Sequence, residues 1–251
     1  MTISGAREYK AVTGSTTATF AAELTEVADN SPTLAQPDII TEKAQAFVPF
    51  SIEIGQDYAN LLQELGNLLA DAKNVLEGQK FALGAGHGSN EPQGIVTGLS
   101  GASIYTTATS ATWAIADLYG TQNNLSPRWH ANAQWLMSLP IFNTTKRLVA
   151  SGSTVEPQIV SADNLLLLGK PWNETSDMAT AVAANNKIAV CGDIKNAFRI
   201  VDRVGLTVEL VPHLFGAANR FPLGERGLYA FWRVSSGILV NDAARVVQVH
   251  V

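Results

Sequence analysis

The longest apolar pattern in the chain runs from Asp57 to Leu83. Its apolar side chains recur every three or four residues, the spacing that places them on one face of an α-helix. They are Tyr58, Leu61, Leu62, Leu65, Leu68, Leu69, Ala72, Val75, Leu76 and Leu83. The pattern predicts one helix, about 35–40 Å long, with Asp57 as its N-cap. We expect Leu68 to be buried mid-helix against a sheet, and Gly66 to allow the helix to flex.

A glycine-rich segment follows this helix, from Gly84 to Ile95. A loop that cradles phosphate leaves a strand and enters the N-terminus of a helix, where the helix dipole favours anions. This segment instead leaves the C-terminus of a helix, where the dipole is negative, and it has no Gly-Lys-Ser/Thr ending. The order of elements therefore disfavours a phosphate site, and a soluble nucleotide-dependent enzyme is the weaker alternative.

Alternating apolar and polar residues predict several strands. One is expected to lead into the long helix through Phe50, Ile52 and Ile54. Another spans Leu206–Leu210, and a third, Leu228–Val234, carries large residues on both faces and is expected to be buried on both. The alternation of Val247, Val249 and Val251 with polar residues predicts a last strand with one solvent-exposed face.

Strand and helix patterns alternate over residues 110–200, which is typical of a compact α/β unit. A helix is expected after Ser110 or Thr112, either of which can serve as its N-cap, and a second one over Ile141–Val149. Buried strands are expected at three apolar runs, and residues 151–163 form a polar loop. The runs are Ala133–Leu139, Leu165–Leu168 and Ile188–Cys191.

Residues 8–46 contain few large apolar side chains and cannot fold over a core of their own. Such a segment is either disordered or a two-stranded arm. Short alternations over Tyr9–Phe20 and Ile39–Val48, with a turn signal at Asp29-Asn30-Ser31-Pro32 between them, favour the arm. Because an isolated two-stranded hairpin is marginal in water, the arm implies a surface on a partner that covers it.

Composition narrows the function classes. The chain of 251 residues has 46% apolar and only 16% charged residues, with a net charge of −5, so it lacks the basic surface that tight binding to nucleic-acid phosphates requires. A single cysteine, Cys191, excludes an intrachain disulfide and fits a reducing cytosol. No signal-peptide pattern or apolar run of membrane-spanning length occurs.

Candidate catalytic and metal-binding residues form no recognisable motif. The histidines, His87, His130, His213 and His250, lie far from one another and from Cys191, so a metal site is unsupported. His87 is expected to be an exposed loop residue, and Cys191 a buried apolar one. The sequence contains no Gly-x-Ser-x-Gly nucleophile motif. We therefore predict no catalytic site, no metal and no cofactor.

Several segments carry a resemblance to a known family. The helix end Phe81–Gly86, followed by Glu91-Pro92-Gln93-Gly94-Ile95, resembles the tailed-phage major capsid proteins of the Hong Kong 97 type. The stretch from Ala21-Ala22-Glu23 to Ser31-Pro32 is similar to the extended loop of that family. Three further segments are similar to landmarks of its axial domain, and they are Trp135–Ser138, Leu168–Pro171 and Gly192-Asp193.

The resemblance implies an α+β fold in three parts. Residues 1–46 would form the end of an N-terminal arm and an extended β-hairpin loop. Residues 47–98 would form a peripheral domain of a long spine helix and a long β-sheet, with residues 202–234 returning beside the helix. Residues 99–201 would form an α/β axial domain completed by 235–251. The candidate assembly residues are Glu23, Glu26, Gly66, Gly84, Gly86, Gly88, Pro92 and Gly94, with the glycines at 84, 86 and 88 acting as flexible joints.

The implied function is a major capsid protein that assembles in the host cytoplasm into the icosahedral shell of a virion around double-stranded DNA. Its partners would be many copies of itself in pentamers and hexamers, packaged DNA bound non-specifically, and optionally scaffolding, portal and cement proteins, but no membrane. A nanocompartment shell of the same fold is the main alternative. The lysine–asparagine crosslink of some family members is not expected, because no lysine lies between Lys10 and Lys43 and no asparagine lies around Arg226-Gly227.

Overall fold

The computed structural model describes residues 2–3, 8–11, 13–14, 18–20, 22–24, 26, 37–58, 60–148, 160 and 166–251. The helices are α1 (Ile52–Asp57), α2 (Leu61–Leu83), α3 (Ile95–Gly98), α4 (Ile115–Asn124), α5 (Leu139–Lys146) and α6 (Ile194–Ala197). The strands are β1 (Glu8–Lys10), β2 (Asp38–Ile40), β3 (Glu42–Ser51), β4 (Ile104–Ser110), β5 (Gln134–Met137), β6 (Leu166–Leu167), β7 (Lys170–Glu174), β8 (Lys187–Gly192), β9 (Phe198–Val211), β10 (Glu225–Ile238) and β11 (Ala244–His250).

The long helix begins later than the sequence predicted. It is α2, whose 23 residues span about 35 Å, and Asn60, not Asp57, holds the N-cap position. The predicted strand through Ile54 is also wrong, because β3 ends at Ser51 and Ile52 starts the short helix α1. The reason is local. The Ser51 hydroxyl accepts a hydrogen bond from the Glu53 amide at 3.1 Å and so caps a helix where the alternation alone suggests a strand.

A three-stranded antiparallel sheet, ordered β3-β10-β9, lies against α2. Leu69 of the helix packs with Leu228 and Ala230 of β10, and Ala46, Val48, Phe50, Leu65 and Leu206 surround this cluster. Residues of β9 and β10, within the predicted stretch 202–234, thus return beside the long helix. The two strands are long, at 14 residues each.

The apolar face of α2 is only partly covered. Leu69 is 4% exposed, whereas its neighbour Leu68 is 64% exposed, so the prediction that Leu68 is buried is wrong. The apolar stripe on the helix is wider than the part that the three strands cover. Leu62, Val75, Leu76 and Leu83 accordingly lie exposed beside Leu68, while the buried flank also carries the Lys73–Glu77 ion pair at 2.8 Å.

A second, mixed sheet of six strands, ordered β4-β11-β8-β5-β7-β6, forms the predicted α/β unit. One face packs with α4 and α5 through Leu118, Ile141 and Phe142, and the other with α3 and α6 through Ile95, Val96 and Ala197. Because β11 is an inner strand between these layers, Val246 and Val247 are both fully buried. Towards the end of the strand the predicted alternation is present, because Val249 is buried whereas Gln248 is half-buried and His250 is exposed. The predicted solvent-exposed face is therefore confirmed only at the end of β11.

The N-terminus of α4 also differs from its prediction. Neither Ser110 nor Thr112 caps the helix, which begins at Ile115. The carboxylate of Asp117 instead accepts hydrogen bonds from the amides of Ala114 and Ala108, both at 3.0 Å. The Asp117 carboxylate in the first turn therefore takes the place of an N-cap side chain, and its bond to Ala108 also connects the helix to the preceding strand β4.

The two ends of the predicted arm meet. β1 pairs with β2 in antiparallel register, with Tyr9 opposite Ile39. Most of the arm between them, including the turn signal at residues 29–32, lies outside the described residues, as does the polar loop predicted at 151–163 except for Val160. The division of the chain at residues 46, 98 and 201 stays a prediction, and β3 of the helix-bearing sheet already begins at Glu42.

Candidate assembly site

The glycine-rich segment forms a compact junction at the end of α2. The amide of Gly84 donates to Lys80 O at 2.8 Å, and the amide of Gly94 donates to Gly84 O at 2.9 Å. The Thr97 hydroxyl donates to the same Gly84 carbonyl at 2.5 Å. The chain therefore leaves the helix, makes a short loop and returns to its own starting point before it enters α3.

This return requires glycine where the two passes of the chain touch. A Cβ atom at Gly84 would lie 2.1 Å from Pro92 O, and one at Gly94 would lie 2.5 Å from Ala82 O. Both distances are far below van der Waals contact, so larger residues would force the passes apart. The geometry therefore makes Gly84 and Gly94 the two sides of a tight crossing, and at Gly84 this contradicts the flexible joint expected from sequence. A Cβ atom at Gly88, in contrast, would have no neighbour within 4 Å, and Gly86 has a φ of 92°.

Several backbone amides of the junction donate hydrogen bonds to acceptors within the same subunit. Ala85 N donates to the Glu91 carboxylate at 3.3 Å, and Gly86 N donates to Pro92 O at 3.3 Å. Glu91 also accepts from Lys80 Nζ at 2.6 Å. This bond, with the smaller contribution of Ala85, lowers the pKa of Glu91 from its usual value. A protein carboxylate thus takes the place that an anionic ligand would occupy.

Hydrogen bonds tie the junction to both the sheet and the arm. Gln93 N donates to Ser236 O at 3.2 Å, and the Ser236 hydroxyl donates back to Gln93 O at 2.8 Å, which fixes the junction to β10. His87 Nδ1 pairs with the carboxylate of Glu42, the first residue of β3. The junction therefore holds together the end of the long helix, the central strand of its sheet and the base of the arm.

Sequence reasoning missed the pairing of His87 with Glu42. The sequence predicts that His87 is an exposed loop residue, and its side chain is indeed about half exposed. The only signal in the sequence was a carboxylate at the start of an apolar alternating strand, and nothing local indicated that a histidine 45 positions away would reach it.

The predicted assembly residues fall in three places. Gly84, Gly86, Gly88, Pro92 and Gly94 all lie in the junction. Gly66 lies mid-helix, where an added Cβ would meet nothing within 4 Å. Glu23 and Glu26 lie on the arm, and both are exposed.

The remaining candidate groups are structural. Cys191 is fully buried in β8, and burial raises the pKa of its thiol to about 12, so it is protonated and unreactive at neutral pH. Within the part of the chain that the structure describes, no three histidine, cysteine or acidic side chains cluster as metal ligands. Nor does any helix among those residues have the length and apolar character needed to cross a membrane.

A model of the phage capsid family matches residues 1–249. The chain belongs to this family. As a phage capsid protein it is a structural component of a virion shell and not an enzyme, which confirms the resemblance found in the sequence.

Solved capsid structures share its fold along the entire chain. The capsid of a native GTA particle, computed with C5 symmetry, superposes with a TM-score of 0.82 at 19% identity, covering 100% of this chain and 88% of that one. A chain of Mycobacterium phage Adephagia gives 0.71 at 16% identity, with coverage of 100% and 87%. The mature capsid of bacteriophage PhiM1 gives 0.63 at 11% identity, with coverage of 99% and 84%. A search of curated proteins gave no match.

These likenesses confirm the predicted α+β capsid fold of a long helix on a long sheet beside an α/β unit.

Proposed function

We propose that this capsid protein is the coat subunit that forms both the five-membered and the six-membered rings of its shell. In this arrangement the α/β unit lies at the ring centre, and the long helix with its three-stranded sheet extends outward. The arm at residues 8–41 reaches across a neighbouring subunit. Its ring partners are further copies of the same chain, and the shell encloses double-stranded DNA without sequence-specific contacts.

One observation carries this proposal most directly. Phe20 and Leu24, on the arm, are fully exposed, at 110% and 107% of the reference area. Burying a side chain of this size gains about 1.5–3 kcal/mol, and that gain is absent within one subunit. The exposed apolar arm is therefore explained by contacts that form only between copies.

The junction supplies rigidity for this function. Because it fixes the end of α2 to β10 and to the base of the arm, movement of the helix changes the direction of the arm. The mid-helix Gly66 has free space around it and is the position where α2 can bend between the two kinds of ring. A subunit with a rigid junction and one flexible point can meet slightly different neighbours with the same contacts.

The acidic surface suits a wall around packed DNA. With 22 acidic and 17 basic residues, the subunit does not bind phosphate groups tightly along its inner side. The alternative, a nanocompartment shell, predicts protein cargo. Purified particles digested with nuclease before opening distinguish the two, because a phage-type shell releases protected DNA and a nanocompartment releases protein.

Deletion of the arm tests the assembly role. Residues 12–36 are replaced by a short glycine–serine linker, which leaves β1 and β2 paired. We expect a soluble subunit with an unchanged far-UV spectrum and no closed shells by electron microscopy. A control chain in which glycine and serine replace only residues 15–18 retains Phe20, Leu24 and both glutamates, and we expect it to assemble. Shells of normal yield from the deletion variant would contradict the proposal.

A further inference from the structure

A cavity of about 210 Å³ lies between the C-terminal half of α2 and the sheet beneath it. We call it the helix–sheet cavity. Its lining includes Leu76, Glu77 and Lys80 of α2, Ala44 of β3, Trp232 of β10 and Glu91 of the junction. The apolar cluster around Leu69 supports the helix before this point, and the junction holds its end. The packing of α2 on its sheet is therefore incomplete between these two supports.

Two polar side-chain atoms of the lining residues have no partner. Trp232 is 2% exposed, and its indole Nε1, which can only donate, is buried without a hydrogen bond to any described residue. Oε1 of Glu77 is an acceptor in the same condition, while the other carboxylate oxygen pairs with Lys73. Leaving a buried polar group unpaired costs free energy. A ligand that brings one acceptor and one donor would therefore be stabilised here.

The charges around the cavity are already balanced. Each carboxylate of the lining has a basic partner, in the pairs Glu91–Lys80, Glu77–Lys73 and Glu42–His87. A charged ligand would lose its hydration without finding a free counter-charge. The rest of the lining is apolar, from Ala44, Leu76, Pro92, Val234 and the ring of Trp232. The cavity thus suits a neutral ligand with an apolar body.

We propose that the helix–sheet cavity binds a small neutral molecule that has an apolar ring and a primary amide group. The amide NH₂ donates to Glu77 Oε1, and the amide oxygen accepts from Trp232 Nε1. Because both protein atoms are buried, the two side chains turn towards the ligand as it enters. The ring fills the space beside Ala44 and Leu76. The bound molecule then joins α2 to β10 where they do not pack, and this role does not depend on the proposed ring assembly.

Water is the other occupant that such a cavity can hold. Its volume of about 210 Å³ equals that of about seven water molecules at ~30 Å³ each. A buried water typically makes about three hydrogen bonds to polar groups, and the mostly apolar wall provides too few for so many molecules. One single-ring compound with an amide group supplies the donor, the acceptor and the apolar surface together.

Benzamide has this chemistry and is the first probe. It is titrated against the full-length protein, and binding is followed through the NMR signals of the ligand, which report on free subunits and on shells alike. Acetophenone is the matched probe, because it has the same ring and carbonyl but no NH₂ group. We expect benzamide to bind saturably. We expect acetophenone to bind at least fivefold more weakly, because it leaves Glu77 Oε1 without a partner.

Three variants locate the site, and the melting temperature of each shows whether it folds. Ala44→Ile places a larger side chain in the cavity, and we expect it to weaken benzamide binding at least tenfold. Gln45→Ile is its matched control, because it adds the same side chain to the opposite face of β3, and we expect native affinity. Glu77→Gln supplies an NH₂ group that can donate to acetophenone, so we expect the preference for benzamide to disappear.

Binding should also stabilise the subunit by mass action. Benzamide at ten times its Kd should raise the melting temperature of the native protein by about 3–6 °C. At the same concentration we expect a rise of less than about 2 °C in Ala44→Ile, because its affinity is lower. Gln45→Ile should show the native rise.

Three results would overturn the inference. Absence of saturable benzamide binding by the native protein would leave the cavity to water. Equal benzamide affinity in the native and Ala44→Ile proteins would place the binding elsewhere. Equal affinity of the native protein for the two probes would remove the role of Glu77, and this comparison decides the matter even if Ala44→Ile does not fold. If no shells form but the expected binding pattern is found, only the ring proposal fails.

Discussion

Two adjacent leucines on α2 provide a matched test of how the helix is supported. Leu69→Ala and Leu68→Ala remove the same atoms from the same helix, one residue apart. Leu69 is 4% exposed and packs in the cluster with Leu228 and Ala230, whereas Leu68 is 64% exposed. Only the first change removes contacts within the subunit, so we expect only the first to lower its stability substantially.

The magnitudes follow from burial. Truncation of a buried leucine costs ~2–5 kcal/mol, from the lost transfer energy and the cavity left behind. The exposed leucine should lie within about 0.5 kcal/mol of the native protein. For a domain of this size each kcal/mol lowers the melting temperature by about 2–4 °C, so Leu69→Ala should melt about 4–20 °C lower and Leu68→Ala within about 2 °C of the native subunit.

Urea unfolding of the unassembled, arm-deleted subunit measures both free energies without a contribution from assembly. The full-length variants are then scored for particle yield. Because Leu68 belongs to the exposed apolar stripe of α2, we expect its truncation to have an effect only on the particle yield. Equal destabilisation of the subunit by the two substitutions would refute the orientation of the helix on its sheet.

Three further predictions concern other parts of the fold. Gly66→Ala should stabilise the subunit by ~1 kcal/mol, since its Cβ meets nothing within 4 Å, yet it should lower the yield of closed shells; an unchanged yield would remove the flexing role. Glu91→Gln should lower the melting temperature at neutral pH, and the difference from the native protein should shrink below pH 4.5. The reason is that a carboxyl group with a lowered pKa stabilises the fold above its usual pKa of 4.5, and this stability is lost as the pH falls through the folded-state pKa. A difference in melting temperature that does not depend on pH would contradict this. Particles boiled in detergent should give one band at 26.7 kDa, and a reproducible ladder of covalent multimers would show that a crosslink exists.

Sequence periodicity predicted which helices and strands form better than it predicted which of their faces are buried. The spacing of leucines indicated that α2 exists, and its length was close to expectation. It could not show which part of a wide apolar stripe the sheet would cover, because that depends on how many strands lie beneath the helix. Leu68 and Leu69 are equivalent in the pattern and differ only in the fold.

Short-range caps were the second source of error. Ser51 starts a helix within an alternating stretch, and Asp117 replaces the predicted caps of α4. In both cases the hydrogen bond of one side chain determines where the helix begins. Several nearby residues could have capped the helix equally well as far as the sequence shows. The burial of the first part of the last strand on both faces was not predictable for a different reason, because its place between β4 and β8 is a property of the sheet order.

The candidate site was predictable only where it is local. Two passes of the chain cross in the junction within ten residues. The glycines that this crossing requires are therefore close together in the sequence and could be recognised there. The pairing of His87 with Glu42 joins residues far apart in the chain. It depends on the register of β3 against β10, which no local pattern contains.

Electron cryo-microscopy of particles formed by the full-length chain tests the central claim most directly. We expect closed icosahedral shells whose five-fold and six-fold rings contain the same subunit, with the α/β unit at each ring centre and the arm lying on an adjacent copy. Discrete small oligomers without ring-forming contacts, or shells in which the arm folds back on its own subunit, would contradict the account.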